Sequence, residues 1–165
     1  MKGSQKEFLD KINSHKGMIF KISKMYVEGK ENQEDLFQEI VYQLWKSYES
    51  FRGESQFSTW VYRVSLNTAI TFFKKEKRHE KSDLSYEPVQ EDSFNEQKET
   101  QLELFYKAIP ELNPIEKAII FLYLEGLSHL EIANNLGITE VNARVKLNRT
   151  KNKLQQIIKS YGYEF

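Results

Sequence analysis

The chain contains 165 residues, enough for one domain or for two small domains that each hold a modest helical core. Its 24 basic and 24 acidic residues give a formal charge of zero, which excludes a uniformly basic nucleic-acid binder. Cysteine is absent, which excludes disulfides and thiolate metal sites, and no stretch reaches the roughly 20 apolar residues of a membrane span. We therefore expect a soluble, cytoplasmic protein. Its low proline and glycine content favours an all-helical fold.

Charge is distributed unevenly along the chain. Residues 1–80 are slightly basic, residues 81–107 are dominated by acidic side chains, and residues 142–159 carry six basic side chains and no acidic one. A basic segment within a neutral chain indicates a local nucleic-acid interface. Residues 81–100 are polar and acidic and lack helical periodicity. We predict two small helical domains, at 1–80 and 101–165, joined by a flexible acidic linker at 81–100.

The first 50 residues are predicted to form successive helices. Apolar residues recur at helical spacing through this segment. The pattern is weakly interrupted near Gly17 and ends at residues 28–30. Asn32 is predicted to cap the next helix, and acidic residues follow in its first turn, where the helix dipole favours them. The core stripe of that helix is predicted to consist of Leu36, Ile40 and Leu44.

Two carboxylates on this helix form a candidate site. Asp35 and Glu39 are four residues apart and therefore share a helix face. The pair could bind a metal ion or act as an acid and a base, or it could lie on a solvated or partner-binding face. We favour the second interpretation, because no His or Cys supplies further ligands at suitable spacing.

Aromatic and basic residues are interleaved after this helix. Residues 51–59 are predicted to form a loop, with Ser58 or Thr59 capping a helix that runs from Trp60 to Arg78. Aromatic residues at helical spacing are usually core residues, yet rings beside cations also suit single-stranded nucleic acid, because bases stack on rings and cations meet phosphates. The inward face of the helix is predicted to hold Val61, Val64, Thr68 and Phe72, and another face Arg63, Asn67, Lys74 and Arg78.

The C-terminal part of the chain is predicted to hold a helix-turn-helix. A helix from Leu102 is ended by Pro110, and the next begins with Asn113 as its cap and Pro114 at its first position. Gly137 suits the left-handed residue that ends a helix, and Thr139 can cap the helix that follows. A helix is predicted before the glycine because apolar residues recur there at helical spacing. These residues are Leu127, Leu130, Ile132, Ala133 and Leu136.

The last predicted helix has a basic outer surface. With Ala143, Leu147, Thr150 and Leu154 inward, one flank carries Asn142, Lys146, Arg149 and Lys153 and the other carries Arg144, Asn148 and Lys151. A basic face is often only solvated surface. Here, however, a short glycine-containing turn connects the basic helix to a smaller apolar helix. This arrangement favours DNA binding, with the basic helix in a groove lined by phosphates.

Two blocks of the sequence together resemble the extracytoplasmic-function (ECF) class of bacterial RNA polymerase sigma factors. The first block runs from residue 33 to 78 and contains the pieces DLFQE and FSTWVYR, which look like sigma region 2. The second runs from residue 109 to 154 and looks like sigma region 4. The resemblance covers nearly the whole chain. It implies a promoter-specificity subunit that is not an enzyme and needs no cofactor or metal.

The resemblance implies three sets of site residues. Region 2 would dock on the β′ clamp helices of core RNA polymerase, and the β flap is a further expected contact. The residues implied for core binding are Asp35, Leu36, Gln38, Glu39 and Trp45. Those implied for the opened minus-10 element are Phe51, Phe57, Ser58, Trp60, Arg63, Asn67, Lys74, Lys75, Lys77 and Arg78. Those implied for the duplex minus-35 element are Thr139, Glu140, Asn142, Arg144, Lys146, Arg149, Lys151 and Lys153.

The recognition helix departs from the pattern common in the class. Many ECF proteins carry a T-V-K-S-R-L-H-R-A-R-like run where this chain has NARVKLNRTK. The fold should survive, because Ala143 and Leu147 still face the core, whereas the base preference should change. We expect the specificity of this protein to lie at Asn142, Val145 and Asn148. The class also implies an anti-sigma factor as a further partner.

Two other functions fit parts of the sequence. A stand-alone helix-turn-helix regulator would bind duplex DNA without polymerase, but residues 1–80 show none of the strands of a receiver domain. A helical enzyme would use Asp35, Glu39 and His15 or His79. No nucleophile constellation, glycine-rich phosphate loop or ligand cluster supports it.

Overall fold

The structure, a computed structural model, describes the backbone of residues 2–82 and 101–162 and the side chains of residues 4–77 and 101–162. Every element in these ranges is helical, which confirms the predicted all-α fold. Within them, no helix combines the length and the apolar character needed to cross a membrane. The helices are α1 Lys2–Asn13, α2 Lys16–Tyr26, α3 Lys30–Tyr48, α4 Phe57–Ser82, α5 Gln101–Ala108, α6 Pro114–Leu124, α7 His129–Leu136 and α8 Glu140–Ser160, with a 3-10 turn at Ile109–Glu111.

Helices α1 to α4 form the N-terminal bundle. The predicted core stripe of α3 is confirmed, since Leu36, Ile40 and Leu44 are all fully buried. On α4, Val61 is buried and Val64 and Phe72 pack half-buried against the core, as predicted, whereas Thr68 is also only half-buried and the buried residues Ser65, Leu66 and Ala69 were not predicted. The buried arc is displaced because α4 packs against α2 and α3 and also against α6 and α7.

Three helix ends in this bundle lie a few residues from their predicted positions. The break between α1 and α2 lies at Ser14 and His15, and Gly17 is inside α2. Gly29 occupies the N-cap position of α3, while the Asn32 side chain donates a hydrogen bond to the carbonyl oxygen of Glu28 at 3.1 Å. Helix α4 begins at Phe57, so Ser58 and Thr59 lie in its first turn. The spacing of apolar residues cannot resolve such one-turn differences.

Helices α5 to α8 form the C-terminal bundle. Asn113 caps α6 as predicted, through reciprocal hydrogen bonds with Glu116, and Pro114 is the first helical residue. A second capping box joins Ser128 and Glu131, so α7 begins at His129 and Leu127 precedes it, contrary to the prediction. Leu130 is 53 % exposed and does not belong to the predicted apolar stripe.

The helix-turn-helix is confirmed. Gly137 ends α7 in the left-handed conformation, with φ 68° and ψ 34°, where a side chain would be strained. The Thr139 hydroxyl then accepts a hydrogen bond from the backbone N–H of Asn142 at 3.1 Å and caps α8. Buried Ile132 and Ala133 of α7 and buried Ala143 and Leu147 of α8 fix the two helices to one core.

The two bundles pack against each other. Tyr26 of α2 is 1 % exposed, and its hydroxyl donates a hydrogen bond to the carbonyl oxygen of Pro114 at 2.7 Å. The rings of Tyr62 and Phe121 lie 6.0 Å apart, edge to face. These contacts join α2 and α4 of the first bundle to α6 of the second. The linker was predicted at residues 81–100. Its first two residues belong to the end of α4, and residues 83–100 lie outside the described part of the chain.

Candidate functional site

The exposed face of α3 presents the carboxylate and amide groups selected from the sequence. Asp35 and Gln38 are exposed, and Glu39 is half-buried and accepts a hydrogen bond from the Gln43 side chain at 2.9 Å. Leu36 requires a correction, because it is fully buried in the core and cannot face a partner. It holds α3 in place from inside the bundle.

Two apolar grooves flank Gln38 on this face. The first, of about 380 Å³, is lined by Phe8, Leu9, Phe37, Val41, Tyr42 and Trp45 together with Gln5 and Gln38. The second, of about 510 Å³, is lined by Phe20, Phe37 and Gln38 among others. Phe20 is 54 % and Trp45 is 42 % exposed. A contiguous exposed apolar surface of this kind marks a candidate protein-binding site.

Three aromatic rings meet where α4 begins. Phe51, Phe57 and Trp60 form a triangle with ring centroids 5.2 to 5.7 Å apart. All three side chains are half-buried, and Tyr48 lies 6.3 Å from Trp60 on the inner side. The structure therefore brings the predicted aromatic residues together as a partly exposed cluster on the edge of the core. Ser58 lies in the same turn and is half-buried.

A polar and basic stripe continues from this cluster along α4. Arg63, Asn67 and Lys74 are exposed and share one helix face, as the sequence spacing predicted. Lys75 and Lys77 are also exposed, and the Lys77 amine lies 4.8 Å from the centre of the Phe73 ring. The side chain of Arg78 is outside the described residues. The stripe has the spacing and charge to follow a phosphate backbone.

One end of the stripe is engaged by the C-terminal bundle. Arg63 donates a hydrogen bond from Nη2 to the carbonyl oxygen of Asn134 in α7 at 3.0 Å. At the neighbouring residue Tyr62, the hydroxyl donates a hydrogen bond to Glu125 at 3.5 Å, and the Lys21 amine pairs with the same carboxylate at 3.4 Å. Burial first, and then the Glu125 carboxylate, raise the pKa of Tyr62.

A buried lysine lies at the centre of the contact between the bundles. Lys117 of α6 is 2 % exposed, and its amine lies 4.4 Å from the ring centre of Phe73 and 5.4 Å from that of Tyr26. Burial, with a smaller effect of the Lys77 charge, lowers its pKa to about 8, opposed by Glu28. The aromatic rings face the cation with their negative quadrupoles and compensate part of its lost hydration.

The cations of α8 differ in what they contact. The Lys153 amine pairs with the Glu116 carboxylate at 2.9 Å, and the Lys151 amine lies 3.8 Å above the ring of Tyr123. Arg144 approaches Glu140 at 3.7 Å within the same helix. Asn142 and Arg149 are exposed, and Lys146 is half-buried. The two lysines therefore lie against α6, whereas Asn142 and Arg149 project to solvent.

Sequence reasoning missed several residues of these surfaces. Leu9 and Phe20, which were not among the predicted site residues, are 49 % and 54 % exposed and line the grooves of the α3 face. Val141, which no prediction singled out, is 69 % exposed on α8, and Val145, which was expected to carry specificity, is 40 % exposed on the same helix. An apolar residue at an outward position of a basic helix was the available signal for Val141. Among the described side chains, no three His, Cys, Asp or Glu residues come together as a group that could hold a metal ion.

Comparisons with known protein families match both parts of the chain. The family profile described as sigma-70 region 2 matches residues 12–79, and the profile described as sigma-70, region 4, matches residues 102–154. The two matched segments coincide with the bundle that carries the α3 face and with the bundle that carries the helix-turn-helix.

Similar proteins are sigma factors of bacteria. The ECF RNA polymerase sigma-E factor of Haemophilus influenzae is 27 % identical over 94 % of this chain and 92 % of its own length. SigV of Bacillus subtilis is 28 % identical over 84 % of this chain and 82 % of its own length. The ECF factor SigG of Mycobacterium tuberculosis is 26 % identical over 75 % of this chain, but the chain spans only 41 % of the length of SigG.

Solved structures share the fold. The sigma factor RpoE of Bartonella quintana, in complex with the anti-sigma factor NepR, matches 93 % of this chain and 98 % of its own, with a TM-score of 0.72 and 20 % identity. CnrH in complex with the cytosolic domain of CnrY matches 96 % of this chain and 92 % of its own, with a TM-score of 0.68 and 16 % identity.

Proposed function

We propose that this chain, which belongs to the extracytoplasmic-function class of RNA polymerase sigma factors, binds core RNA polymerase and directs it to promoters. The observation that carries the proposal is that both sigma regions occur in order in one chain. In this function the chain supplies promoter recognition and DNA melting to the polymerase and is itself no enzyme. Its place of action is the cytoplasm, where the polymerase and promoter DNA are found.

The α3 face is the proposed docking surface for the polymerase β′ clamp helices. Exposed Asp35 and Gln38 supply hydrogen-bonding groups at its centre, with Glu39 beside them. The apolar grooves on both sides, which include Trp45, supply the surface that must be removed from water for stable binding. In this proposal the C-terminal bundle, α5 to α8, makes the contact with the β flap of the polymerase.

The aromatic cluster and the stripe on α4 are the proposed minus-10 interface. Phe51, Phe57 and Trp60 give a base-stacking surface, and a base flipped from the duplex would be captured beside them. Arg63, Asn67 and the lysines of α4 would hold the opened non-template strand. Because the bases can stack on these rings only when they are unpaired, the stacking contacts would stabilise the melted state.

The helix-turn-helix is the proposed minus-35 reader. Its N-terminus is capped by Thr139, and the exposed residues Glu140, Val141 and Asn142 leave the outer side of the first turn open to a major groove. In this assignment Thr139 orients the helix as its cap, while Glu140, Asn142, Arg144 and Lys146 lie near the groove. Arg149, Lys151 and Lys153 lie where backbone phosphates would pass. An anti-sigma factor that covers these surfaces would regulate the protein.

A stand-alone DNA-binding regulator is the alternative. It accounts for α6 to α8 but assigns no role to the α3 face or to the aromatic cluster. Core-dependent transcription separates the two functions, because a regulator that binds duplex DNA alone does not give a polymerase new start sites.

The test is transcription in vitro with purified chain, core polymerase and a promoter library, followed by sequencing of the run-off products. We expect start sites that require the chain and share two upstream elements. Absence of core-dependent initiation together with absence of core binding would refute the proposal. The double variant Asp35→Ala with Gln38→Ala should weaken core binding, because both side chains are exposed, while the helical content stays unchanged.

A further inference from the structure

The side of α8 that points directly away from the core is largely uncharged. Its direction is opposite the buried stripe of Ala143, Leu147, Thr150 and Leu154, at about 100° of rotation per residue. The side chains nearest to that direction are Val141, Val145 and Asn152, with Asn148 and Arg149 at about equal angles on either side, and all five are exposed. We call the uncharged residues Val141, Val145, Asn148 and Asn152 the outer ridge.

The basic residues of α8 lie beside the outer ridge and not on it. Arg144 and Lys151 project to one side, and Lys146 and Lys153 to the other, with Arg149 close to the ridge. Contacts with Tyr123 and Glu116 hold the Lys151 and Lys153 amines towards α6. A helix of this kind inserted into a groove presents cations to the two phosphate walls and the ridge to the base edges.

Nothing in the part of the chain that the structure describes covers the two valines or explains their exposure. Val141 is 69 % and Val145 is 40 % exposed, and the two share one face four residues apart. β-branched residues are weaker helix formers than Ala or Lys, so neither position favours valine for the helix itself. Their methyl groups are suited to contact apolar groups in the groove floor.

We propose that the outer ridge reads A·T base pairs in the minus-35 element, with Val141 and Val145 contacting thymine methyl groups and Asn148 pairing with adenine. In the major groove the thymine C5-methyl is the apolar group that a valine can contact, and an asparagine amide matches the N6 and N7 atoms of adenine. From Val141 to Asn148 the helix rises about 10 Å, which spans about three base pairs. The inference rests on the proposed function, because it assigns the bases that the sigma factor would select.

This assignment alters the expectation from the sequence. The sequence led us to expect specificity at Asn142, Val145 and Asn148. Of these, Val145 and Asn148 lie on the outer ridge and Asn142 lies on a flank of α8. Val141 is an additional residue of the ridge. Arg144, which the class resemblance placed near the bases, lies at the side of α8 beside Glu140. Its position suits a phosphate better than a base edge.

Removal of single methyl groups from DNA tests the proposal. The holoenzyme formed by the full chain and core polymerase first selects minus-35 sequences from a randomised promoter library. Each thymine of the selected element is then replaced by deoxyuridine, which lacks only the C5-methyl. Because burying one methyl-sized group contributes about 0.8 kcal/mol, we expect open-complex formation to fall about fourfold at one or two thymines.

Matched variants connect the effect to the ridge. Val145→Ala should be about fourfold weaker on the thymine template and should show no further loss at its deoxyuridine position. Gln155→Ala, an exposed change later in the same helix, should retain the full methyl effect. Replacing the contacted adenine by 7-deazaadenine, which lacks N7, should lower open-complex formation by the unchanged chain about fivefold. In Asn148→Ala the same replacement should cause no further loss. Both ridge changes are at exposed positions, and circular dichroism checks that α8 is retained.

The outcomes separate the two proposals. Core-dependent run-off from a selected element that has no A·T pair, or from one insensitive to every deoxyuridine substitution, overturns the ridge assignment and leaves the sigma function standing. An equal methyl effect in Val145→Ala, Val141→Ala and the unchanged chain also overturns it. Absence of any core-dependent run-off overturns the sigma function and this inference with it.

Discussion

Arg63 donates a hydrogen bond from its guanidinium to the backbone carbonyl oxygen of Asn134, 3.0 Å away, and so connects α4 to the helix-turn-helix. Arg63 belongs to the proposed minus-10 interface, whereas Asn134 lies in α7 of the proposed minus-35 reader. In this arrangement the guanidinium points at the C-terminal bundle. We expect the two bundles to separate before Arg63 can follow a DNA strand.

Loss of the Tyr26 hydroxyl should shift the bundles towards separation. Tyr26→Phe removes the 2.7 Å hydrogen bond to the carbonyl oxygen of Pro114, which also lies in the first turn of α6 and keeps its place in the hydrogen bonding of that helix. Loss of one such hydrogen bond costs about 0.5 to 1.5 kcal/mol, so the open population should rise about two- to tenfold. Because the chain has no cysteine, Ser50→Cys and Gln156→Cys provide unique sites for a fluorescent pair. Energy transfer should fall in Tyr26→Phe.

The control for this measurement is Tyr42→Phe. Tyr42 is 55 % exposed on α3, so removal of its hydroxyl should leave energy transfer unchanged. If Tyr26→Phe behaves like Tyr42→Phe, the hydrogen bond to Pro114 does not hold the bundles together.

The contact between the bundles should strengthen at alkaline pH. The pKa of Lys117 is about 8 in the folded chain and 10.5 ordinarily, so between these values the unfolded chain binds the proton and the folded chain does not. Folding stability therefore rises with pH from about 8 to 10.5, and the full penalty of the buried charge is present below pH 8. Urea unfolding between pH 7 and pH 10 measures this slope.

Lys117→Met should remove that slope and stabilise the protein at pH 7. The pKa difference corresponds to about 3 to 4 kcal/mol, and we expect a gain of about 2 kcal/mol because the substitution also removes the contacts of the cation with the rings of Phe73 and Tyr26. The comparison with the unchanged chain cancels the titration of other groups, including Tyr62, whose pKa is raised, and Lys77 and Glu28, which face Lys117. An identical slope in both proteins would show that Lys117 is solvated in the folded state.

Phe20 should contribute to core-polymerase binding. Its ring is 54 % exposed beside Gln38 in the second apolar groove, so Phe20→Ala removes a contact surface without opening a cavity in the core. We expect core affinity to fall about tenfold, the range of a modest interface anchor. Leu102→Ala, at a 63 % exposed position in the other bundle, is the control. Binding of labelled core to each variant measures the change, and equal affinities would exclude the second groove from the interface.

Arg149 and Lys153 should differ in the salt dependence of DNA binding. Arg149 is exposed near the outer ridge, whereas the Lys153 amine pairs with Glu116 at 2.9 Å. Arg149→Ala should reduce the slope of log K against log salt by about 1, because one phosphate contact is lost. Lys153→Ala should reduce it by less. Duplex titrations from low to moderate salt measure both slopes, and a larger change in Lys153→Ala would mean that Lys153 leaves Glu116 to bind DNA.

Local rules in the sequence determined most of the secondary structure and the turn of the DNA-reading motif. Gly137, Thr139 and the Asn113-Pro114 pair each fix one helix end through neighbours within a few residues, so their roles could be predicted without a fold. The stripe of Leu36, Ile40 and Leu44 also followed from helical spacing alone. The family resemblance, now supported by matches to both sigma regions, rested on local motifs of the same kind.

Tertiary structure alone decided which faces are covered. Residues far apart in sequence meet at Lys117, Tyr26 and Phe73, and no local pattern states that a lysine of α6 is buried between two bundles. The same contact displaced the buried arc of α4 and directed Arg63 towards Asn134. Burial depends on the packing of both bundles together, because each covers a face that the other would leave in water, and for that reason the sequence could not supply it.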